Sequence, residues 1–168
     1  MVTAKRWWAA GDLMTIVLDG AMTDGRCFVM EQVVPRHVRP PGRHSHHDED
    51  HVWYVQDGNG RFYVGDTETR AGPGDVLFGP RGIPHAFSAD STELRVLVVT
   101  MPAGLERFFQ ATGEPARGDG PPPPGWTAPI GNVEAIAAAY GIALLGPEPA
   151  WHPFADQASV EGLDGRSG

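Results

Sequence analysis

The stretch HSHHDEDHVWYVQDGNG, residues 44–60, contains four of the chain's seven histidines within its first eight positions. His44 and His46 are two apart, and residues two apart on a strand point to the same side, roughly 6.5–7 Å from each other. Two imidazoles at that spacing can bind one metal ion. The polar residues that follow predict a tight turn, after which antiparallel pairing would bring His51 beside the first two histidines. A histidine metal site is therefore predicted, with a solvated polar loop as the alternative.

A second stretch, GDVLFGPRGIPHAF at residues 74–87, consists of a strand, a proline-rich turn and a further histidine. One histidine after a turn is more often structural than a ligand. Taken together, however, the two stretches resemble the two signatures of the cupin superfamily. In the first signature, G-x5-H-x-H-x3,4-E-x6-G, the matching residues are His44, His46 and Gly58. In the second, G-x5-P-x-G-x2-H, they are Gly74, Pro80, Gly82 and His85.

This resemblance implies an all-β fold, the cupin double-stranded β-helix or jelly-roll barrel, with a metal near one mouth. It assigns His44, His46 and His85 as metal ligands. The family's glutamate ligand falls at the position of His51, so His51 is expected to be the fourth ligand. Glu49 has the same alternation parity and remains an alternative ligand, as well as the one weak candidate for a catalytic residue.

Four neutral histidines would leave a divalent ion with its full charge, whereas a glutamate would reduce that charge by one. The site should therefore hold a stronger Lewis acid than the usual cupin site. Imidazole ligands suit Fe, Ni, Co, Cu or Zn and disfavour Mg or Ca. One divalent transition metal is the expected cofactor, and the sequence does not decide among these five.

Segments with a period of two, rich in β-branched and aromatic residues, indicate the barrel strands. They lie at residues 12–18, 26–34, 51–56, 61–65, 75–79 and 93–101. Helical spacing predicts two short helices after the barrel, over 103–113 and 132–145. The expected organisation is an N-terminal segment 1–11, a cupin β-barrel 12–102, a C-terminal helical extension 103–146 and a flexible tail 147–168.

The segments VVTMPAGLERFF and AAAYGIALLGP resemble the tail of the quercetin dioxygenase-like single-domain cupins. This likeness implies a dioxygenase or other oxygenase that acts on a small phenolic or enolisable organic compound. In that group the motif glutamate is thought to take the substrate's hydroxyl proton, so with His51 the base is missing or altered. Two alternatives stay open: a non-redox isomerase, cyclase or lyase that uses the ion as a Lewis acid, and a non-catalytic small-molecule-binding cupin.

Several aromatic and apolar residues on the predicted strands are expected to form an apolar substrate pocket near the ion. These are Trp53, Phe28, Met30, Phe62, Phe78 and Phe87. Such a pocket suits a planar organic substrate. Other polar residues are expected to play lesser parts: Arg81 is expected to be solvated, His37 and His152 to lie on the surface, and His47 to face outward or support the ligands from behind.

Composition sets the remaining expectations. The chain has 168 residues and a net charge of −8, which argues against partnership with nucleic acid or an anionic membrane surface. Its one cysteine, Cys27, excludes an intramolecular disulfide. The sequence also lacks an apolar run that is long enough to cross a membrane, and a cytoplasmic location is expected. Because cupin barrels usually pair, a homodimer is expected as well.

Overall fold

The described part of the chain, residues 5–36 and 42–146 of a computed structural model, contains twelve strands and two helices. The strands are β1 (Lys5–Ala9), β2 (Asp12–Leu18), β3 (Phe28–Pro35), β4 (His44–His46), β5 (Asp50–Asp57), β6 (Gly60–Val64), β7 (Thr67–Ala71), β8 (Val76–Gly79), β9 (His85–Ala89), β10 (Glu93–Met101), β11 (Glu114–Pro115) and β12 (Ile142–Leu144). The helices are α1 (Leu105–Thr112) and α2 (Val133–Ala139). Neither helix is long and apolar enough to cross a membrane.

The strands form two antiparallel sheets, and buried residues of both sheets form the main hydrophobic core. The larger sheet has the order β11-β1-β2-β3-β10-β5-β8, and the smaller has the order β12-β4-β9-β6-β7. Side chains of both sheets meet in the interior, where Trp53 of the larger sheet packs against Phe62 and Phe87 of the smaller one at 6.1 and 6.0 Å between ring centroids. This face-to-face arrangement places one side of each sheet toward a common interior.

The central strands β3, β10 and β5 set the inward-facing rows of the larger sheet. Alternate residues of β10 are buried because successive side chains of a strand point to opposite faces. One row runs from His51 through Thr100 to Phe28, and the next from Trp53 through Val98 to Met30. A third row runs from Val55 through Val96 to Gln32. These rows fix where each interior side chain lies along the barrel.

The pairing predicted for the first histidine stretch is wrong. Strands β4 and β5 do not form a hairpin, because β4 belongs to the smaller sheet and β5 to the larger one. β4 pairs with β9 and β12, whereas β5 pairs with β10 and β8. The short segment between β4 and β5 crosses from one sheet to the other. His51 therefore approaches His44 and His46 across the interior and not along a shared ladder.

Three local expectations change at the ends of the barrel. β1 lies within the segment expected to precede the barrel, and β7, with four of its five residues exposed, is a strand that was not predicted. The second helix ends at Ala139, before the expected residue 145, because Gly141 adopts a left-handed conformation with φ of 70° and stops it. The residues after Gly141 form β12. The expected tail 147–168, His37 and His152 lie outside the described residues.

Gly79→Ala is expected to destabilise the barrel next to the histidines. An ideal Cβ at Gly79 would lie 2.5 Å from Trp53 Cη2, and Trp53 is 2% exposed, so its ring has no room to move. Overpacking of this kind costs about 1–3 kcal/mol of unfolding free energy. Chemical denaturation of Gly79→Ala should show this loss. The matched control Gly118→Ala, with nothing within 4 Å of its Cβ, should not show it. Equal stability of the two variants would contradict the steric argument.

Candidate metal centre

Four histidines from three strands meet inside the barrel. β4 carries His44 and His46, β9 carries His85, and β5 carries His51. His44 and His85 are direct partners in the β4–β9 ladder. His51 enters from the opposite sheet, where it pairs with Thr100 and Gly79. The four residues expected to be ligands are thus brought together by the facing of the two sheets.

The imidazole rings form a tight group. Ring centroids are 4.3 Å apart for His46 and His51, 4.7 Å for His44 and His85, and 4.9 Å for His51 and His85. The potential ligand atoms of His44, His46 and His85 all lie within 4.8 Å of one another, as do those of His46, Glu49 and His51. His46 belongs to both sets and is therefore at the centre of the group.

Hydrogen bonds hold one nitrogen of three rings and leave the other available. Nδ1 lies 3.0 Å from the Gly42 carbonyl oxygen in His44, 3.0 Å from Glu49 Oε2 in His46, and 3.1 Å from the Ile83 carbonyl oxygen in His85. These partners only accept, so each neutral ring carries its proton at Nδ1 and donates it. The Nε2 lone pair then points away from these partners and can bind a metal.

The Nε2 atoms of His46, His51 and His85 are buried and have no hydrogen-bond partner among the described residues. Buried polar atoms without a partner are rare and costly, so they require an explanation. Borderline transition metals bind neutral imidazole, and several unpartnered Nε2 atoms in one place are the donor set that such an ion needs. The residues present therefore fit a metal site.

Burial keeps three of these histidines, His44, His51 and His85, neutral. Desolvation, together with the neighbouring His46, lowers the pKa of His44 to about 4. Desolvation, followed by His44 and His46, lowers the pKa of His85 to about 3. The pKa of His51 is also held well below its usual value, first by desolvation and then by the neighbouring histidines. Since only the neutral ring binds a metal, these three rings are in their ligand form at neutral pH.

The acidic residues beside the histidines are already engaged. Glu49 accepts the hydrogen bond from His46 and thereby orients that ring. Asp50 accepts hydrogen bonds from the backbone and guanidinium of Arg81, and these bonds lower its pKa to about 2. Arg81, expected to be solvated, thus pairs with Asp50 while remaining half exposed. His47 faces outward, with its side chain 83% exposed beside Asp48.

A cavity of about 430 Å³ opens from the histidines into the barrel. All four histidines line it, and apolar side chains form most of its remaining wall. The C-terminal extension closes one side: α1 contributes Leu105, Phe108 and Phe109, and β12 contributes Ile142 and Leu144. Because β12 also pairs with the histidine strand β4, this extension forms part of the site and is not merely appended to the barrel.

The structure distributes the expected pocket residues over three environments. Trp53, Met30 and Phe87 line the cavity. Phe28 and Phe62 are buried in the core but are not part of the cavity wall. Phe78 is 54% exposed, so its placement in the pocket is wrong. The reason is strand alternation: Phe78 pairs with Val52 on the outer face, while its neighbour Leu77 pairs with the buried Trp53.

Sequence reasoning missed a buried polar residue of the cavity, Gln32. It faces inward on β3 between Met30 and Val34, both of which are buried. A polar residue at the inward parity of an otherwise apolar strand was the available signal. Gln32 donates a 2.7 Å hydrogen bond from Nε2 to Oδ2 of the buried Asp12. Met14, which lies opposite Gln32 on β2, also lines the cavity and was likewise missed.

Comparison with known families agrees with this geometry. Residues 29–116, more than half of the chain, match the family described as Cupin domain. The chain belongs to the cupin family. This match, together with the two-sheet barrel and its two short helices, confirms the predicted fold class.

Solved cupin structures show the same fold at low sequence identity. A predicted oxalate decarboxylase from Thermotoga maritima is 24% identical, with a TM-score of 0.52 over 60% of this chain and 92% of that one. An RmlC-like cupin from Shewanella frigidimarina is 15% identical, with a TM-score of 0.52 over 61% of this chain and 88% of that one. KdgF from Halomonas sp. is 20% identical, with a TM-score of 0.51 over 57% and 84%.

Among curated proteins, an uncharacterized protein of Streptomyces coelicolor is similar to part of this cupin. The two are 39% identical over 56 residues, which is 33% of this chain and 53% of the relative. The chain therefore matches about half of the length of that relative.

Proposed function

We propose that this cupin is a metal-dependent enzyme of the quercetin dioxygenase-like kind, an oxygenase acting on a small phenolic or enolisable organic compound. The observation that carries the proposal is the set of buried, unpartnered Nε2 atoms at one end of an apolar cavity. A transition metal held by His44, His46, His51 and His85 would supply Lewis acidity and, if redox-active, reactivity toward dioxygen.

The chain's own residues would bind and shield the substrate. Trp53 lies against the histidines, 5.5 Å from the His51 ring and 5.1 Å from the His85 ring, and provides a flat apolar surface for an aromatic compound. Phe87 and the helix α1 extend that apolar surface along the cavity wall. This environment favours a largely apolar substrate with one oxygen group directed at the histidines.

Glu49 is assigned a positioning role in this proposal. Its Oε2 accepts the hydrogen bond that His46 Nδ1–H donates, so the carboxylate fixes the ring and increases the basicity of Nε2. A carboxylate engaged in this way does not serve as the base for a substrate hydroxyl while the hydrogen bond persists. A compound that reaches the site already ionised, or that loses its proton readily, suits the site better than a weakly acidic alcohol.

The second candidate is a non-redox isomerase, cyclase or lyase. It is favoured by the all-histidine donor set, which leaves the ion's full charge in place and makes it a strong electrophile. Both candidates would use the same cavity and the same class of oxygen-bearing substrate, and they differ in whether oxygen is consumed.

Elemental analysis of the purified protein, followed by oxygen-uptake measurements on a panel of phenols and diketones, separates the candidates. The oxygenase proposal expects a redox-active metal and substrate-dependent oxygen uptake that is lost in His46→Ala. The matched control His47→Ala, an exposed histidine of the same stretch, should retain both. Zinc as the native metal, or substrate conversion without oxygen uptake, would favour the non-redox candidate. Binding without conversion would favour a non-catalytic barrel.

We also propose a homodimer. Val76 and Phe78 on the edge strand β8 are 65% and 54% exposed, and the neighbouring Tyr54 is 42% exposed, which makes an apolar outer face. Burial of such a face against a second copy is favourable. Light scattering that gives the mass of a monomer at micromolar concentration would contradict this proposal.

A further inference from the structure

Gln32 is one of two polar side chains, other than the histidines, among the described residues of the cavity wall. It is 6% exposed and lines the cavity. The other polar side chain in the wall, Thr112, donates its hydroxyl to the Phe108 carbonyl at 2.8 Å. Within the described residues, Gln32 is therefore the polar feature of this cavity that is left to account for.

Asp12 fixes the orientation of the Gln32 amide. Gln32 Nε2 donates to Asp12 Oδ2 at 2.7 Å, so the amide nitrogen is directed at the carboxyl group. No group in residues 5–36 or 42–146 hydrogen-bonds to Gln32 Oε1. Asp12 is itself 2% exposed, and its Oδ1 atom has no partner in that part of the chain. The pair thus forms a buried polar site with unused hydrogen-bonding capacity.

The Gln32 site is remote from the histidines. Gln32 lies in the row with Val96 and Val55, and His51 lies in the row with Thr100 and Phe28. The row of Trp53, Val98 and Met30 lies between them. Two inward rows correspond to about 13 Å along the strands. The cavity wall between the two polar ends is apolar, with Trp53, Val98 and Met30 all in the lining.

We propose that Gln32, positioned by Asp12, accepts a hydrogen bond from a hydroxyl group at the end of the substrate remote from the histidines. This inference rests on the proposed function and narrows its substrate class. The substrate is an elongated hydroxylated aromatic compound, with a metal-directed oxygen group at one end and a second hydroxyl at the other. A single small ring cannot reach both polar ends.

The chemistry of the site favours a neutral hydroxyl over a charged group. Gln32 Oε1 is an acceptor, so it selects a donor and repels a carboxylate. An ammonium group would have to leave water for a cavity in which no carboxylate lines the described wall, and that transfer is costly. A phenolic hydroxyl costs less to desolvate than a charged group, and the hydrogen bond to Gln32 offsets that cost.

Matched ligand pairs test the proposal on the metal-containing protein without oxygen. The probes are flavonol and dibenzoylmethane, each compared with its analogue that carries a para-hydroxyl on the distant phenyl ring. Wild-type protein is expected to bind the hydroxylated member of at least one pair about five- to tenfold more tightly, as one neutral hydrogen bond would provide. Binding can be followed by quenching of tryptophan fluorescence.

Variants identify the residue that hydrogen-bonds to the distant hydroxyl of the ligand. Gln32→Met should abolish the preference, because the acceptor for the distant hydroxyl is removed. The substitution also removes the partner of Asp12, so the preference within each variant is compared and not its absolute affinity. Met14→Leu, at the ladder partner of Gln32 on the neighbouring strand β2, should retain the preference. Asp12→Asn still offers an acceptor to Gln32 Nε2 and should retain it, whereas Asp12→Ala should lose it. The double variant Asp12→Leu/Gln32→Met removes both polar groups together and replaces Gln32→Met if that variant does not fold.

The outcomes are distinct from those for the oxygenase proposal. If no pair shows a preference in the wild type, or the preference survives in Gln32→Met, the recognition site is wrong. If the preference is present and depends on Gln32 while no oxygen is consumed, the recognition site stands and the oxygenase assignment fails.

Discussion

His51→Ala is expected to lower the affinity for the native metal by more than about 100-fold, the upper limit for the loss of an outer hydrogen bond to a ligand. The physical reason is that His51 Nε2 is buried and has no partner in the described structure, and that the centroids of the His51 and His46 rings are 4.3 Å apart. The fold should persist because His51 sits in a strand held by ladders on both sides. Competition with a chromophoric chelator measures the affinity.

Glu49→Gln provides the comparison that decides between the two ligand sets. If Glu49 acts only by orienting His46, its replacement should cost about 10- to 100-fold, less than the loss of His51. His47→Ala should bind metal as the parent does. If His51→Ala retained full affinity while Glu49→Gln lost the metal, Glu49 would be the ligand and the four-histidine site would be wrong.

His51→Glu extends the same test. This variant carries the glutamate that the cupin motif has at this position, and it should keep its metal with one unit less positive charge at the site. A carboxylate there also adds a potential base in the cavity. The variant is expected to gain activity toward flavonols if the cavity admits them, and oxygen uptake with flavonol measures that gain.

The histidine group could be predicted because its chemistry is carried by short-range spacing. His44 and His46 share a face of any strand, and His85 follows a turn whose glycine and proline positions are specific. The pairing of the strands could not be predicted in the same way, because it depends on contacts between residues far apart in sequence. Thus His51 joins the group from the opposite sheet, although the sequence favoured a local hairpin.

The rest of the cavity could not be predicted from the sequence, for related reasons. Phe78 and Leu77 are both apolar, so hydrophobicity alone does not reveal which one faces inward, and the register with β5 decides it. The Asp12–Gln32 hydrogen bond joins two strands and leaves no local signal other than a polar residue in an apolar run. The closing strand β12 follows a helix of good propensity, and only the left-handed Gly141 separates them.

Asp12→Asn is expected to make the protein progressively more stable than the parent as the pH rises. Burial raises the pKa of the Asp12 carboxyl from 3.8 to about 7, partly opposed by the hydrogen bond from Gln32. Below the unfolded pKa of 3.8, Asp12 is protonated in both the folded and the unfolded chain, so its ionisation does not change the stability of the parent. Between the two values the unfolded chain ionises while the folded one does not, so the parent loses stability. Above the higher value the loss is complete and constant.

The expected size of this effect is about 4 kcal/mol of unfolding free energy, accumulated between the unfolded and folded pKa values. Denaturation of metal-free parent and variant across that range measures it, and the titration of the histidines cancels in the difference because both proteins share it. Asp50→Asn is the control. Because Arg81 lowers the pKa of Asp50, the contribution of Asp50 to stability changes only below the pKa of the unfolded chain. The difference in unfolding free energy between Asp50→Asn and the parent should therefore not change with pH over the range measured. A flat difference for Asp12→Asn as well would mean that the buried carboxyl is ionised in the folded protein. In that case Gln32 would be held by a charge, and the site it forms would also be suited to a cationic group.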